Sequence, residues 1–348
     1  MNAEPVRFAL VGFGSGGRYF HAPLLTSADN IDLVGVVTTS PERRALVASE
    51  LPGVRVFDSI EAAVGAGAEA AAISTPVHTH SALTDEALGR GLHVVCDKPF
   101  ALDADAAAES VRVAARCDRL LSPYQNRRWD SDFLTVQQLV ADGRLGAVRR
   151  FESRFERFAP QRGPGPAGGG TLLDFLSHLV DQALVLLGPV RSVYAEWVVR
   201  DTGRDDDVFA ALTHANGARS HLWGSWSQTA PGPRFRVTGT EAAYVVTPTM
   251  DGQEAALIAG ESPRSLGDAW GVEPEERWGE LRRGTEPVEV VPTLPGAWGA
   301  FYPAFANAVR GTAPVPVVAT DAVETARVLD AARRSATEGA VVELAPRR

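Results

Sequence analysis

Short apolar runs alternate with longer alanine-rich stretches through the first third of the chain. Residues 8–11 read as a buried strand, and 31–37, 54–57, 70–74 and 92–96 repeat the pattern. Between the later runs, 79–90 and 103–117 read as helices, and Gly91 stands where a left-handed C-cap belongs. Strands alternating with helices imply βαβ units and a parallel sheet covered on both faces. Near residue 124 the pattern changes. Residues 130–141 predict a helix, 151–158 a strand, 160–170 a Gly/Pro-rich loop and 171–187 one strongly periodic helix. Strand-like runs then follow one another without helices, at 190–199, 208–213, 218–226, 235–238 and 243–246. Consecutive strands favour an antiparallel sheet in an α+β domain. The stretch 247–295 has no clear reading, and 298–310 and 321–337 predict closing helices. The expected organisation is a doubly wound α/β domain over 1–123 and an α+β domain over 124–348, whose last helix could pack back on the first domain.

Composition narrows the class. A chain of 348 residues exceeds the size at which one core stops growing, so two domains are expected. With 45% hydrophobic and 22% charged residues it matches an average soluble enzyme. No apolar run approaches the roughly 20 residues that span a bilayer, and residues 1–7 lead directly into a strand, leaving no room for a signal core. A net charge of -9 argues against nucleic-acid partners. Cys96 and Cys117 are too few for a disulfide framework and lack zinc-ligand spacing. Together these features predict a cytoplasmic protein with no membrane association.

The first candidate chemistry lies directly after the first strand. Gly12-Phe13-Gly14-Ser15-Gly16-Gly17 matches G-x-G-x-x-G before a helical stretch. In such a loop the first glycine permits the turn, the second lets the backbone approach a pyrophosphate, and the third allows close helix–strand packing. An NAD site places an acid at the tip of the second strand to hold the ribose 2′-OH. Here the strand ends Thr38-Thr39-Ser40-Pro41-Glu42-Arg43-Arg44. Hydroxyls and two arginines suit a 2′-phosphate dianion, so NADP is preferred and NAD remains possible. Alternatively, Thr39 and Ser40 cap the next helix and Arg43 and Arg44 form its solvated face.

Asp97-Lys98-Pro99 follows the fifth strand, at the end of the sheet where open α/β folds bind ligands. A lysine there could stabilise negative charge developing on a reacting oxygen, and Pro99 biases it toward an extended conformation. Asp174 and His178 stand four apart on the expected 171–187 helix, with Asp181 on the same face. Histidine suits proton transfer from a hydroxyl near neutral pH, and a nearby carboxylate would raise its proton affinity. Equally, an acid near a helix start and a satisfied histidine could be structural. Thr75-Pro76-Val77-His78-Thr79-His80 contains H-x-H, but no carboxylate or cysteine stands beside it at ligand spacing, so no metal is expected. Tyr124 to Asp130, which includes Asn126 and Arg127, reads as a domain junction or cleft lining.

Taken together, the glycine loop, Thr75-Pro76 with His78 and His80, Asp97-Lys98-Pro99, and Gly169-Gly170 before Asp174-x-x-x-His178 resemble the Gfo/Idh/MocA oxidoreductases, the glucose–fructose oxidoreductase and inositol dehydrogenase group. The resemblance spans nearly the whole chain. Residues 124–135 (YQNRRWDSDFLT) and Met250 to Glu254 look like the NADP-dependent scyllo-inositol dehydrogenase branch. The fold so implied is an N-terminal Rossmann domain and a C-terminal domain with a large, open, mostly antiparallel sheet that joins copies into a dimer or tetramer. The resemblance further implies that Lys98 orients and polarises a substrate hydroxyl, that His178 takes its proton, and that Asp174 tunes the pair. Asn126 and Arg127 would join them around a small polyol or sugar, with inositol-type polyols favoured. Gly12 to Gly17, Thr39, Ser40, Arg43, Arg44, Thr75, Pro76, His80, Asp97 and Lys98 would line the cofactor. Two departures stand out: Asp97 replaces a usual glutamate, which should preserve the site, and Val77 replaces a common asparagine. A nicotinamide-binding regulator without turnover and an NAD-dependent redox glycosidase are the alternatives.

Overall fold

The computed structural model describes residues 4–163, 169–247 and 251–345. Met250 and residues 164–168 of the expected Gly/Pro-rich loop lie outside the described residues. The chain forms two compact units, and none of its described helices is long and apolar enough to cross a membrane.

One unit comprises Met1–Asn126, Gln253–Trp270 and Ala297–Val323. Its strands are β1 (Val6–Val11), β2 (Ile31–Val37), β3 (Arg55–Phe57), β4 (Ala70–Ile73), β5 (His93–Cys96) and β6 (Leu121–Pro123). They form a six-stranded parallel sheet in the order β3-β2-β1-β4-β5-β6. This is the doubly wound dinucleotide-binding order, reversing between β1 and β4. Every residue of β4 is buried, as a central parallel strand covered on both faces requires. The helices are α1 (Ala22–Ser27), α2 (Pro41–Glu50), α3 (Ile60–Gly65), α4 (His80–Gly89) and α5 (Ala104–Arg116). Ser40, Ser59 and Asp103 cap α2, α3 and α5 by accepting from backbone N–H groups of the first turn. Gly91 adopts the left-handed conformation expected just past α4 (φ 86°). The helix Phe301–Val309 sets Tyr302 and Phe305 edge-on against Phe8 of β1, with ring centroids 5.7 and 6.0 Å apart.

The other unit comprises Arg127–Gly252, Gly271–Gly296 and Glu324–Arg348. Its strands are β7 (Val148–Glu156), β8 (Val190–Val199), β9 (Asp205–His214), β10 (Arg219–Ser225), β11 (Phe235–Gly239), β12 (Ala243–Val246), β13 (Gly279–Arg282), β14 (Glu289–Val291) and β15 (Val342–Glu343). They form a nine-stranded sheet in the order β14-β13-β12-β11-β7-β10-β9-β8-β15, antiparallel except where β10 pairs with β7. Burial alternates strictly along β9, so one sheet face is covered. Among its described residues this unit holds the helices α6 (Ser131–Ala141), α7 (Thr171–Asp174) and α8 (Leu176–Leu187), together with most of the closing helix Ala319–Glu338, whose Val328, Leu329 and Ala332 join its core. Leu176, Leu179, Val180 and Ala183 of α8 share a core with Val193, Ala210 and Leu222 of the sheet.

The single helix expected over 171–187 is divided at Phe175. There the His178 N–H bonds to the Phe175 carbonyl at 3.1 Å, a tighter winding than the α ladder. Strand β9 supplies the cause. Asp205 accepts from the Leu172 N–H, and the Thr171 hydroxyl donates to the Asp206 carbonyl, so the first turn is tied to the sheet. A Cβ on Gly170 would fall 2.1 Å from the Asp205 carboxylate, which is why glycine precedes this turn.

Candidate active site

The glycine loop leaves β1 where Val11 pairs with Ile73 of β4, at the point where strand order reverses. Gly12 is left-handed (φ 97°), and a Cβ there would lie 2.2 Å from the Ser74 carbonyl oxygen. A Cβ on Gly17 would lie 2.3 Å from the Gly12 carbonyl oxygen. Above Gly14 the space is open, the nearest neighbour of such a Cβ being Arg43 Nη2 at 3.8 Å. Two glycines are therefore fixed by packing and one faces a clear approach, the arrangement that fits a pyrophosphate. Residues 16–21 wind as a π-helix that runs into α1, with Phe13 buried and Ser15 exposed at its start.

The two arginines separate. Arg43 is exposed with its guanidinium over Gly14 and makes no ion pair among the described residues. Arg44 instead pairs with Asp58. Ser40 is committed as the cap of α2, and Thr39 is exposed beside it. Of the two, Arg43 alone therefore presents its guanidinium to the glycine loop.

Beyond β4 and β5, polar groups converge under the loop. The Ser74 hydroxyl donates to Asp97 Oδ2 at 2.9 Å, and the Lys98 N–H donates to Asp97 Oδ1 at 2.7 Å. His21, fully buried, places Nε2 3.2 Å from Asp97 Oδ2 and turns Nδ1 to the Tyr302 hydroxyl at 2.5 Å. Burial alone would raise the Asp97 carboxyl, but His21, then His80 and Lys98, outweigh it and hold it well below the ordinary range. The Lys98–Pro99 peptide is cis, and Lys98 is half-buried. Thr75 bonds Thr79 through its hydroxyl at 2.7 Å, beside Pro76. His78 faces outward, whereas His80 is buried with both ring nitrogens against backbone carbonyls. His21 and Tyr302 carry no sequence motif. Only the fold, which returns residues 297–323 to this unit, brings them together.

In the other unit His178 is buried on α8 and Asp174 is half-buried at the end of α7. Phe155 connects two of the expected site residues: its ring is 6.3 Å from that of His178, and the Arg127 guanidinium lies 4.6 Å over it. Arg127 also donates to Asp130 at 3.3 Å. Asp181 belongs elsewhere, because Arg128 grips both its oxygens at 2.6 and 2.8 Å. Asn126, in the first unit, is buried at the start of a single 3₁₀ turn. Sequence reading missed a buried cluster in which Asp130, Asp132 and Asp251 hold carboxylate oxygens within 4.8 Å of one another. Arg127 and Arg234 lie alongside, and Ser131 donates through both its N–H and hydroxyl to Asp251. Burial, with the neighbouring carboxylates adding to it, pushes Asp130 and Asp132 up.

Comparison with known proteins gives two family matches. Residues 6–125 match the oxidoreductase family with an NAD-binding Rossmann fold, and 133–245 match the GFO/IDH/MocA C-terminal domain. Among relatives, scyllo-inositol 2-dehydrogenase (NADP(+)) IolW of Bacillus subtilis is 30% identical, covering 98% of this chain and 96% of its own. The uncharacterized oxidoreductase YdgJ of Escherichia coli is 35% identical, covering 99% and 100%. Among solved structures, the oxidoreductase YvaA of Bacillus subtilis superposes with a TM-score of 0.92 at 29% identity, covering 99% of this chain and 100% of that one.

Proposed function

Because the chain belongs to the GFO/IDH/MocA oxidoreductase family, we propose that it moves a hydride between NADP(H) and a secondary hydroxyl or ketone of a cyclitol or sugar. It is a nicotinamide-dependent dehydrogenase acting on CH–OH groups. The reading rests on one observation above the others: a glycine loop open over Gly14 at the β1/β4 reversal, with the Arg43 guanidinium above it. The names of relatives that act on inositol, one of them with NADP, favour inositol-type polyols as substrates.

In this reading the backbone of Gly12 to Gly17 holds the pyrophosphate and Arg43 the 2′-phosphate. The chemistry that NADP would supply when held there is that of a hydride acceptor. The Lys98 ammonium donates to the substrate oxygen and stabilises charge as it develops there. His178 takes the hydroxyl proton, and Asp174 raises the affinity of the imidazole for it. Asn126 and Arg127 complete the polyol contacts. The protein assembles as a dimer or tetramer through its nine-stranded sheet, on which Phe209, His221 and Trp223 form a half-buried aromatic group. Its place is the cytoplasm, where Cys96 and Cys117 stay reduced.

The test is reduction of added NADP by scyllo-inositol and a panel of polyols and sugars, followed by nicotinamide absorbance. Turnover with at least one polyol is expected. No turnover across the panel with cofactor binding intact would replace the enzyme by a nicotinamide-binding regulator.

A further inference from the structure

His80 is a buried titratable group to which the hydride transfer assigns no chemistry. Its ring is 1% exposed, with Nδ1 2.8 Å from the Pro99 carbonyl oxygen and Nε2 2.7 Å from the Thr75 carbonyl oxygen. A peptide carbonyl only accepts hydrogen bonds, so each ring nitrogen needs its own hydrogen. Neutral imidazole has one N–H. Either neutral tautomer would set a bare lone pair against a carbonyl oxygen, in a place where no water competes. Imidazolium satisfies both contacts.

The charge has opponents and partners. Burial disfavours it, and so does the position of His80 as the first residue of α4, where the helix end is partly positive. The ionised Asp97 and the Pro99 carbonyl act against that burial, and His80 is pushed up. Asp97 in turn is held ionised by His21, His80 and Lys98. Lys98 is consequently pinned from two sides, by Asp97 at its own N–H and by His80 at the carbonyl of the next residue.

We propose that His80 is a buried positioning residue, an imidazolium at neutral pH, that ties the turn after β4 to the Lys98–Pro99 turn and thereby fixes where the Lys98 ammonium projects. This rests on reading Lys98 as the group at the reacting oxygen. The ring takes no part in proton transfer and holds no cofactor atom through its nitrogens. Its effect on turnover passes through Lys98.

Nitrogen NMR of the histidine-labelled, NADP-bound protein tests the charge directly. At pH 7, above the ordinary histidine value of about 6.5, His80 should show two protonated ring nitrogens. One bare nitrogen at that pH overturns the proposal, whatever the variants do. His80→Gln offers a single donor atom and no charge. It should lower kcat by roughly a hundredfold, the scale set by a misplaced catalytic group, with the Kd for NADP little changed. His80→Lys, a cation with three donors, should recover part of that loss. Wild-type kcat in His80→Gln overturns the positioning role. Lys98→Met separates the two readings. Full turnover there would sink the role of Lys98, and a neutral His80 would sink only the present proposal.

Discussion

Replacing Arg43 and Arg44 one at a time should divide their roles cleanly. Arg43 has no anionic partner among the described residues, and its guanidinium faces the open side of the glycine loop. A hydrogen bond between charged groups contributes about 1.5–3 kcal/mol, and the exposure of Arg43 places it at the lower end. A loss of about 1.5 kcal/mol is roughly tenfold in affinity. Arg43→Ala should therefore raise the Kd for NADP about tenfold and leave that for NAD, which lacks the 2′-phosphate, nearly unchanged. Arg44 is held by Asp58 in an exposed pair of the kind that contributes only about 0–1 kcal/mol. Arg44→Ala should alter NADP affinity far less than Arg43→Ala and barely move the Tm. Fluorescence titration of both cofactors against both variants, at one fixed salt concentration, provides the measurement. Equal weakening of NADP and NAD by Arg43→Ala would refute the reasoning, since it would mean that the side chain shapes the loop rather than reads the phosphate. So would a larger effect from Arg44→Ala.

Other consequences follow from the same geometry. His178→Ala should cut kcat while leaving the Kd for NADP close to wild type, because the cofactor loop lies in the other unit; a lost Kd with preserved kcat would assign His178 a structural part. Gly12→Ala forces a side chain into a left-handed conformation (φ 97°) with its Cβ 2.2 Å from the Ser74 carbonyl oxygen. The backbone alone should cost about 1–3 kcal/mol, read by urea unfolding, and an unchanged midpoint would show that the loop relaxes freely. Asp132, whose carboxyl is pushed up by burial, costs the folded state most when ionised. The sign follows from linkage: its contribution favours folding below the unfolded carboxylate value of about 3.9 and is lost as pH rises through the higher folded value. Asp132→Asn should accordingly gain stability over wild type as pH increases, and a gap that is constant or shrinks would contradict the burial argument.

The strands of the first sheet were legible because buried parallel strands are continuous apolar runs, and residues 31–37 and 70–73 needed no long-range information. Strand β6 escaped because it has only three residues and contains Ser122 and Pro123. The break at Phe175 was invisible for a different reason. Nothing in residues 171–187 interrupts helical periodicity, and the cause sits on β9, at Asp205 and Asp206. The stretch 247–295 resisted reading because neighbouring parts of it serve different units: Asp251 joins Asp130 and Asp132 in one, while Gln253 accepts from the Trp298 N–H in the other. Candidate chemistry followed the same division. The glycine loop and the Asp97-Lys98-Pro99 turn are local signals with local meaning. That Arg43 and Arg44 differ, or that Asp181 answers to Arg128, depends on partners that spacing cannot identify.

Asp97 draws these observations together. Its carboxylate spends one oxygen on the Lys98 N–H and the other on Ser74 and His21. The same Oδ2 would lie 2.9 Å from a Cβ on Gly16, and Ser74 Oγ would lie 2.6 Å from it. The glycine at position 16 is thus required from below, by the acid and the hydroxyl packed beneath the loop. The cofactor loop and the lysine turn consequently share one buried anion, and groups on both sides depend on its charge. A neutral residue at 97 would remove the partner of His21 and the anion that offsets His80 together, so the loop and the turn would loosen as one unit rather than independently.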